Sequence, residues 1–277
     1  MNTPPPLDVE TLRARLVENG PYSALDVVTV TGSTNTDLIA AANAGSADRT
    51  VLVAEEQQAG RGRMRRSWVS PRHYGLHVSV LLRPVVTARS ALSWIPLLAG
   101  TALSETVRET TGLEAVLKWP NDMLLGSERK AAGILADVVS TLDGMAVVLG
   151  VGVNVHHDAA DLPAGAGGLP ATSLAAEGAK VDRGDLLAGL LERLSETEAQ
   201  WRGGEPGPEV DPRLLERYRN LCTTLGRSVR VEFGGGRVLE GTARDIDEHG
   251  RLVVRGRDGK RTPVSAGDVV HLRSAER

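Results

Sequence analysis

Apolar positions along this chain change their period several times, and each change marks an element. Leu12 and Leu16 recur at helical spacing behind Asp8, whose carboxylate can cap a short helix. Residues 25–30, 51–54 and 76–82 are short runs rich in Val and Leu, the mark of buried strands. An alanine-rich helix reaching about Ala44 separates the first two runs, and Arg83-Pro84 ends the third. From Ala88 to about Thr110 the period is helical, with Leu92, Ile95, Leu98, Ala102, Leu103 and Val107 on one face. Pro96 inside that stretch requires a kink or a late start. Strand-like runs follow at 117–125, 129–137 and 147–155, each interrupted by isolated charged or amide residues. An amphipathic helix over 185–201 carries Leu186, Leu190, Leu194 and Ala199; residues 203–208 read as a linker and 212–221 as a short helix. Short alternating strands close the chain at 229–233, 238–245, 251–255 and 269–272, with His249-Gly250 and Asp258-Gly259 as hairpin signals.

Strands mixed with helices first and strands alone last predict an α/β (α+β) protein. We expect a tail and short helix over 1–24, and a mixed-sheet domain with helices mainly on one face over 25–222. A small SH3-like β-barrel is expected over 226–277. The proline-bearing first six residues are expected to be disordered. The segment before the first strand is too short for a helix-turn-helix module, so specific DNA binding is not expected. The net charge of −3 and an aromatic content of 3% also argue against a nucleic-acid surface built on the arginines. A single cysteine, Cys222, excludes an internal disulfide; with no signal peptide and no bilayer-length apolar run, a cytoplasmic protein is expected.

The densest chemistry lies in Glu55-Glu56-Gln57-Gln58-Ala59-Gly60-Arg61-Gly62-Arg63-Met64-Arg65-Arg66-Ser67-Trp68. Glycines let backbone amides approach a ligand, and arginines offer planar forks for carboxylate or phosphate. The run reads as a mobile anion clamp or as a solvated basic turn. Glu55 and Glu56 read as a solvated strand end, His77 as an ordinary strand histidine, and Trp119 as core. Ser33 or Thr34 can cap the alanine-rich helix. A strand burying both faces has little reason to carry Lys130 or end in Asn154 unless something binds there.

Four motifs in order, Gly32-Ser33-Thr34-Asn35, Gly60-Arg61-Gly62-Arg63, Lys118-Trp119-Pro120-Asn121-Asp122 and Arg129-Lys130-Ala131-Ala132-Gly133, resemble those of the biotin protein ligase family. Gly241–Asp247 and Gly267-Asp268-Val269 are similar to its C-terminal domain. The resemblance implies a class II synthetase-like biotin–lipoate ligase fold. It implies ATP-dependent attachment of biotin to a lysine of a biotin carboxyl carrier protein or domain of an acyl-CoA carboxylase. The route runs through biotinyl-5′-AMP, with no protein nucleophile, and Cys222 lies outside every motif. A lipoate or octanoyl transferase shares that fold and is the alternative. By the same resemblance, Lys130 and Arg63 are catalytic, and Ser33, Thr34, Asn35, Gln58, Gly60, Arg61, Gly62, Lys130 and Gly133 bind biotin. Arg63, Arg66, Trp68, Asn121, Asp122 and Asn154 would face the nucleotide, and Asp122 with Asn154 would hold Mg²⁺. Lys118 acts there or braces the loop, and Asp122 holds metal or caps a turn.

Overall fold

The computed structural model describes residues 3–85, 89–126, 128–162, 169–203, 210–265 and 267–272; most of the linker expected at 203–208 lies outside them. Helix α1 (Val9–Arg13) is capped by Asp8, whose Oδ1 accepts the Thr11 amide at 3.1 Å, and continues as a π-helical turn over Ala14–Glu18. The chain then forms β1 (Ala24–Val28), α2 (Thr34–Asn43), β2 (Thr50–Ala54), a ribbon of β3 (Gly60–Arg61) and β4 (Ser67–Trp68), and β5 (Gly75–Leu82). A 3-10 turn over Arg89–Trp94 precedes α3 (Ile95–Thr111), which starts late with Pro96 in its first turn, where a missing amide costs nothing. Next come β6 (Val116–Lys118), β7 (Asp122–Leu125), β8 (Arg129–Thr141) and β9 (Gly144–Asn154). Helices α4 (Arg183–Arg202) and α5 (Pro212–Leu221) lead to β10 (Ser228–Glu232), β11 (Val238–Ile246), β12 (Leu252–Arg255), β13 (Arg261–Val264) and β14 (Asp268–His271).

Seven strands make one mixed sheet in the order β1-β2-β5-β9-β8-β7-β6, antiparallel throughout except for β1–β2. The two faces are different in kind. On β9, Val147, Leu149, Val151 and Val153 join the main core with α3 and α4. The alternate positions Ala146 and Val148 meet Leu38 and Ala42 of α2 in a smaller cluster. Helices thus lie mainly on one face, and α2 alone covers part of the other. The rest of that second face is where the site forms.

The last five strands make an antiparallel sheet in the order β13-β12-β11-β10-β14. It is bolted to the first by backbone as well as side chains. Thr223 N–H donates to Leu117 O at 2.8 Å, and Thr224 Oγ1 accepts the Trp119 amide at 3.0 Å. The buried indoles of Trp94 and Trp119 donate to the Glu248 and Gly250 carbonyls at 2.7 and 3.1 Å.

Two expectations need correction. Glu55 is not solvated: its carboxylate is buried against Arg183 at 2.7 Å and accepts the Leu7 amide at 2.7 Å. The proline-bearing tail is not loose over its described part, because Arg183 also donates to Pro5 O at 2.8 Å and Gly75 O at 3.1 Å. A buried charge needs a partner and filled hydrogen bonds, and here the N-terminal backbone helps fill them. Arg183→Ala strands Glu55 and should lower stability by about 3–5 kcal/mol. Pairing Arg183→Met with Glu55→Gln should recover much of that loss in a denaturant melt; equal losses in the single and double variants would refute the account.

Candidate functional site

The uncovered part of the second face is floored by glycine. Gly133 and Gly152 pair across β8 and β9, and Gly150 lies on the same face two residues earlier. A Cβ at Gly152 would stand 2.7 Å from Trp68 Cε2, and one at Gly150 would stand 2.1 Å from Asn35 Oδ1. Side chains from other elements therefore rest directly on bare strand backbone. The result is a cavity of about 760 Å³, lined on one side by Glu232, Asp268, Val269 and Val270 of the C-terminal sheet.

Its walls come from every motif. Ser33 and Thr34 stand at the N-terminus of α2, with the Thr34 amide donating to Gln57 Oε1 at 2.9 Å. The arginine run folds as a ribbon in which Gly60 pairs with Trp68 and Arg61 with Ser67, turning at Arg63–Arg65. Its exit is fixed by Ser70 Oγ, which lies 2.9 Å from His157 Nε2 in a buried contact. Arg63 reaches Gly267 O at 3.2 Å, and Arg66 forms an ion pair with Asp268 of β14. Burial pulls the Arg63 guanidinium below the ordinary arginine range, while Asp268 and Asp122 pull it back up. Arginine remains a cation at neutral pH.

Opposite the ribbon, a bulge between Met123 and Leu124 brings Lys130 beside Asp122, with Nζ 2.6 Å from Oδ1. The same ammonium sits 5.8 Å from the centre of the Trp68 ring. Asn121 donates to Ile134 O at 3.0 Å, and Asn154 donates to Thr172 O at 2.9 Å, which fixes both amides. Lys118 is buried in the same wall; burial lowers its ammonium's pKa, and Asp122 opposes the shift. Five cations (Arg61, Arg63, Arg66, Lys118 and Lys130) thus face three carboxylates (Asp122, Glu232 and Asp268) around one cavity. In a chain that is acidic overall, this lining carries a local excess of positive charge, as a site for polyanions requires.

The structure brings together Ser33, Thr34, Asn35, Arg61, Gly62, Arg63, Arg66, Trp68, Asn121, Asp122, Lys130, Gly133 and Asn154 on this lining. It does not bring Gln58, which is exposed; Gln57 lines the cavity instead. The chain bends at Gln58, which turns this side chain to solvent while its neighbour Gln57 stays at the cavity. Gly60 serves the ribbon's backbone pairing and lies outside the lining. The sequence reading also missed Gly150, Gly152, Glu232 and Asp268. The glycines carried a signal, since alternate glycines in an apolar strand mark a close approach. The two acids carried none. Among the described residues no group of three or more His, Cys, Asp or Glu gathers as a ready-made metal cage, and no helix is long and apolar enough to cross a membrane.

A sheet face stripped to backbone, walled by converging cations and roofed by an arginine ribbon, defines a protein built to hold small anions. Residues 27–154 match the model of the Biotin/lipoate A/B protein ligase family, and 224–272 match the Biotin protein ligase C terminal domain. A biotin–[acetyl-CoA-carboxylase] ligase of Mycobacterium tuberculosis is 41% identical over 274 residues, covering 97% of each chain. The bifunctional ligase/repressor BirA of Escherichia coli is 29% identical, over 98% of this chain and 81% of its own. The biotin protein ligase of Aquifex aeolicus, solved in complex with biotin and ATP, superposes with a TM-score of 0.75. It is 26% identical, over 91% of this chain and all of that one. The chain belongs to the biotin protein ligase family.

A methyl group at Gly152 has no room beneath Trp68. Gly152→Ala should therefore lift the indole off β9, red-shifting tryptophan emission and speeding tryptic cleavage at the loop arginines. Fluorescence and timed proteolysis check this; an unchanged spectrum and cleavage rate would mean that Trp68 does not rest on the strand.

Proposed function

We propose that this protein attaches biotin to a lysine of a biotin carboxyl carrier protein or domain of an acyl-CoA carboxylase, at the expense of ATP. The observation that carries the reading is the meeting of Lys130, Arg63 and Arg66 with the Ser33–Thr34 helix terminus around one glycine-floored cavity. Family membership and the near full-length likeness to a biotin–[acetyl-CoA-carboxylase] ligase support it. Residues 25–222 act as the catalytic domain, and 226–277 as an SH3-like domain whose β14 edge reaches the site. The reaction belongs to the cytoplasm, where carboxylases and ATP meet.

The first step joins two anions. A biotin carboxylate oxygen attacks the α-phosphorus of ATP, the bond to the β-phosphate oxygen breaks, and pyrophosphate leaves. Cations and backbone donors hold the two together and stabilise charge that grows in the transition state. Lys130 is the central cation: it has Asp122 on one side, Trp68 on the other and Gly133 close by. We assign Ser33, Thr34, Asn35, Gln57, Arg61, Gly62 and Gly133 to biotin, and Arg63, Arg66, Trp68, Asn121, Asp122 and Asn154 to the nucleotide. The Asp122 carboxylate, paired with Lys130 at 2.6 Å, and the Asn154 amide oxygen both line the cavity and would offer hard-oxygen ligands to Mg²⁺. Such an ion, when bound, neutralises phosphate charge. In the second step the carrier's lysine amine attacks the acyl carbon, the bond to the phosphate oxygen breaks, AMP leaves and the amine sheds a proton.

Lys130→Ala should slow biotin-dependent pyrophosphate exchange about 10²-fold or more while the melting curve stays close to the original. Exchange at the normal rate would show that another group supplies the cation. The arginine ribbon makes a second, separable prediction. Biotinyl-5′-AMP is an activated anhydride that needs cover from water. Arg63→Gly should release it more than it slows its synthesis, so serum albumin incubated with the variant, biotin and MgATP should become labelled. Unlabelled albumin alongside normal adenylate synthesis would remove Arg63 from that role.

A further inference from the structure

The five cations of the lining are not equally committed. Lys130 pairs with Asp122 at 2.6 Å, Arg66 pairs with Asp268, and Arg63 donates to Gly267 O at 3.2 Å. Arg61 is exposed to solvent. Lys118 differs from all four. It is only 6% exposed, yet among the described residues its ammonium has no hydrogen bond and no ion pair. A buried charge in this state is costly, and its three donors call for acceptors. The described chain supplies none; an anion in the cavity would.

The way β6 is built aims Lys118 at such an anion. Its neighbours Leu117 and Trp119 are buried in the main core. Their backbones are tied to the start of the C-terminal domain, through Thr223 N–H to Leu117 O at 2.8 Å and Trp119 N–H to Thr224 Oγ1 at 3.0 Å. Side chains alternate along a strand, so Lys118 points to the opposite face, the one that carries the cavity. Strand β6 is the edge of the main sheet, two strand spacings, or about 10 Å, from the β8 strand that carries Lys130. The charges that act on Lys118 belong to two ion pairs, Asp122–Lys130 and Asp268–Arg66, so it stands between the sheet's cation and the ribbon's.

We infer that Lys118 is a second catalytic cation, which grips the β- and γ-phosphates of ATP and stabilises pyrophosphate as it leaves. This rests on the proposed reaction and divides its labour between two lysines. Lys130 serves the α-phosphorus, where the bond to the carboxylate oxygen forms. When the bond from the α-phosphorus to the bridging oxygen breaks, the electron pair stays on that oxygen, and no proton has to move. Negative charge therefore grows on the leaving group. An ammonium with its donors free and no carboxylate bonded to it is suited to that charge. Lys118 has no part in the second step, in which AMP leaves and pyrophosphate is absent.

The test separates the two half-reactions. Lys118→Met keeps much of the side chain's bulk and drops its charge. It should slow biotin-dependent pyrophosphate exchange about 10²-fold. Transfer of biotin from added biotinyl-5′-AMP to a carrier domain should change little in the same variant. Lys118→Arg, which keeps the charge, should recover part of the exchange. A bracing role would not give this split, because a displaced loop slows both steps. Binding supplies a readout apart from activity: inorganic pyrophosphate with Mg²⁺ should raise the melting temperature of the intact chain, and that of Lys118→Met much less. Without ligand the variant should melt no lower than the parent, since it loses a buried charge that had no partner. If the intact chain forms no biotinyl-5′-AMP, the functional reading fails. If it does, three results overturn the role of Lys118 and leave that reading standing: both steps slow alike, exchange is normal, or pyrophosphate shifts both melts equally. Should Lys118→Met not fold, Lys118→Gln is measured in its place against the same outcomes.

Discussion

Bare backbone on one sheet face is the constraint on which the rest depends. Gly133, Gly150 and Gly152 let an indole and an amide lie at van der Waals range over β8 and β9, where any side chain would hold them off. Removing those side chains sacrifices strand propensity and apolar burial, and the opposite face compensates with Val147, Leu149, Val151 and Val153. The sheet is thus lopsided by design of sequence: one side supplies the cohesion, and the other is kept empty for ligands. Trp68 can roof the cavity only because Gly152 does not fill it.

The positive charge follows a similar division. Arginines elsewhere form ion pairs that are exposed or half-buried, as in Arg15–Glu192, Arg129–Glu177 and Arg217–Glu105, or buried, as in Arg183–Glu55. Around the cavity, cations outnumber carboxylates, so the local field opposes the sign of the whole chain. The C-terminal sheet tempers that excess through Asp268, which holds Arg66, and through the Gly267 carbonyl, which receives Arg63. The second domain therefore contributes to the site as well as packing beside it.

Much of this was legible in the chain. Period changes gave most helices and strands within a few residues, because amphipathic faces must be buried whatever the tertiary detail; the run at 117–125 divides into β6 and β7, and β3, β4 and β13 were not read as strands. Pro96 left a kink or a late start open and α3 starts late, while the ordered motifs marked most of the lining. The failures have physical reasons. Gln57 and Gln58 are identical neighbours, and only the course of the backbone decides which of them faces the cavity. Glu55 looked solvated because its partner Arg183 lies far along the chain, and a buried ion pair has no local signature. Asp268 joined the site only through the docking of β14, a fact of topology rather than pattern.

The Glu55–Arg183 contact has one more consequence. Its hydrogen bonds are completed by the Leu7 amide and the Pro5 carbonyl, so the start of the chain is stitched to the strand that feeds Gln57. Polypeptide attached ahead of Pro5 thereby has a mechanical handle on the ligand pocket. A tag pulling at that point, or a fused domain docking there, would tug on two backbone groups whose release uncovers a charged pair. In a protein engineer's terms, the amino end is a lever and the carboxyl end of β2 is its fulcrum.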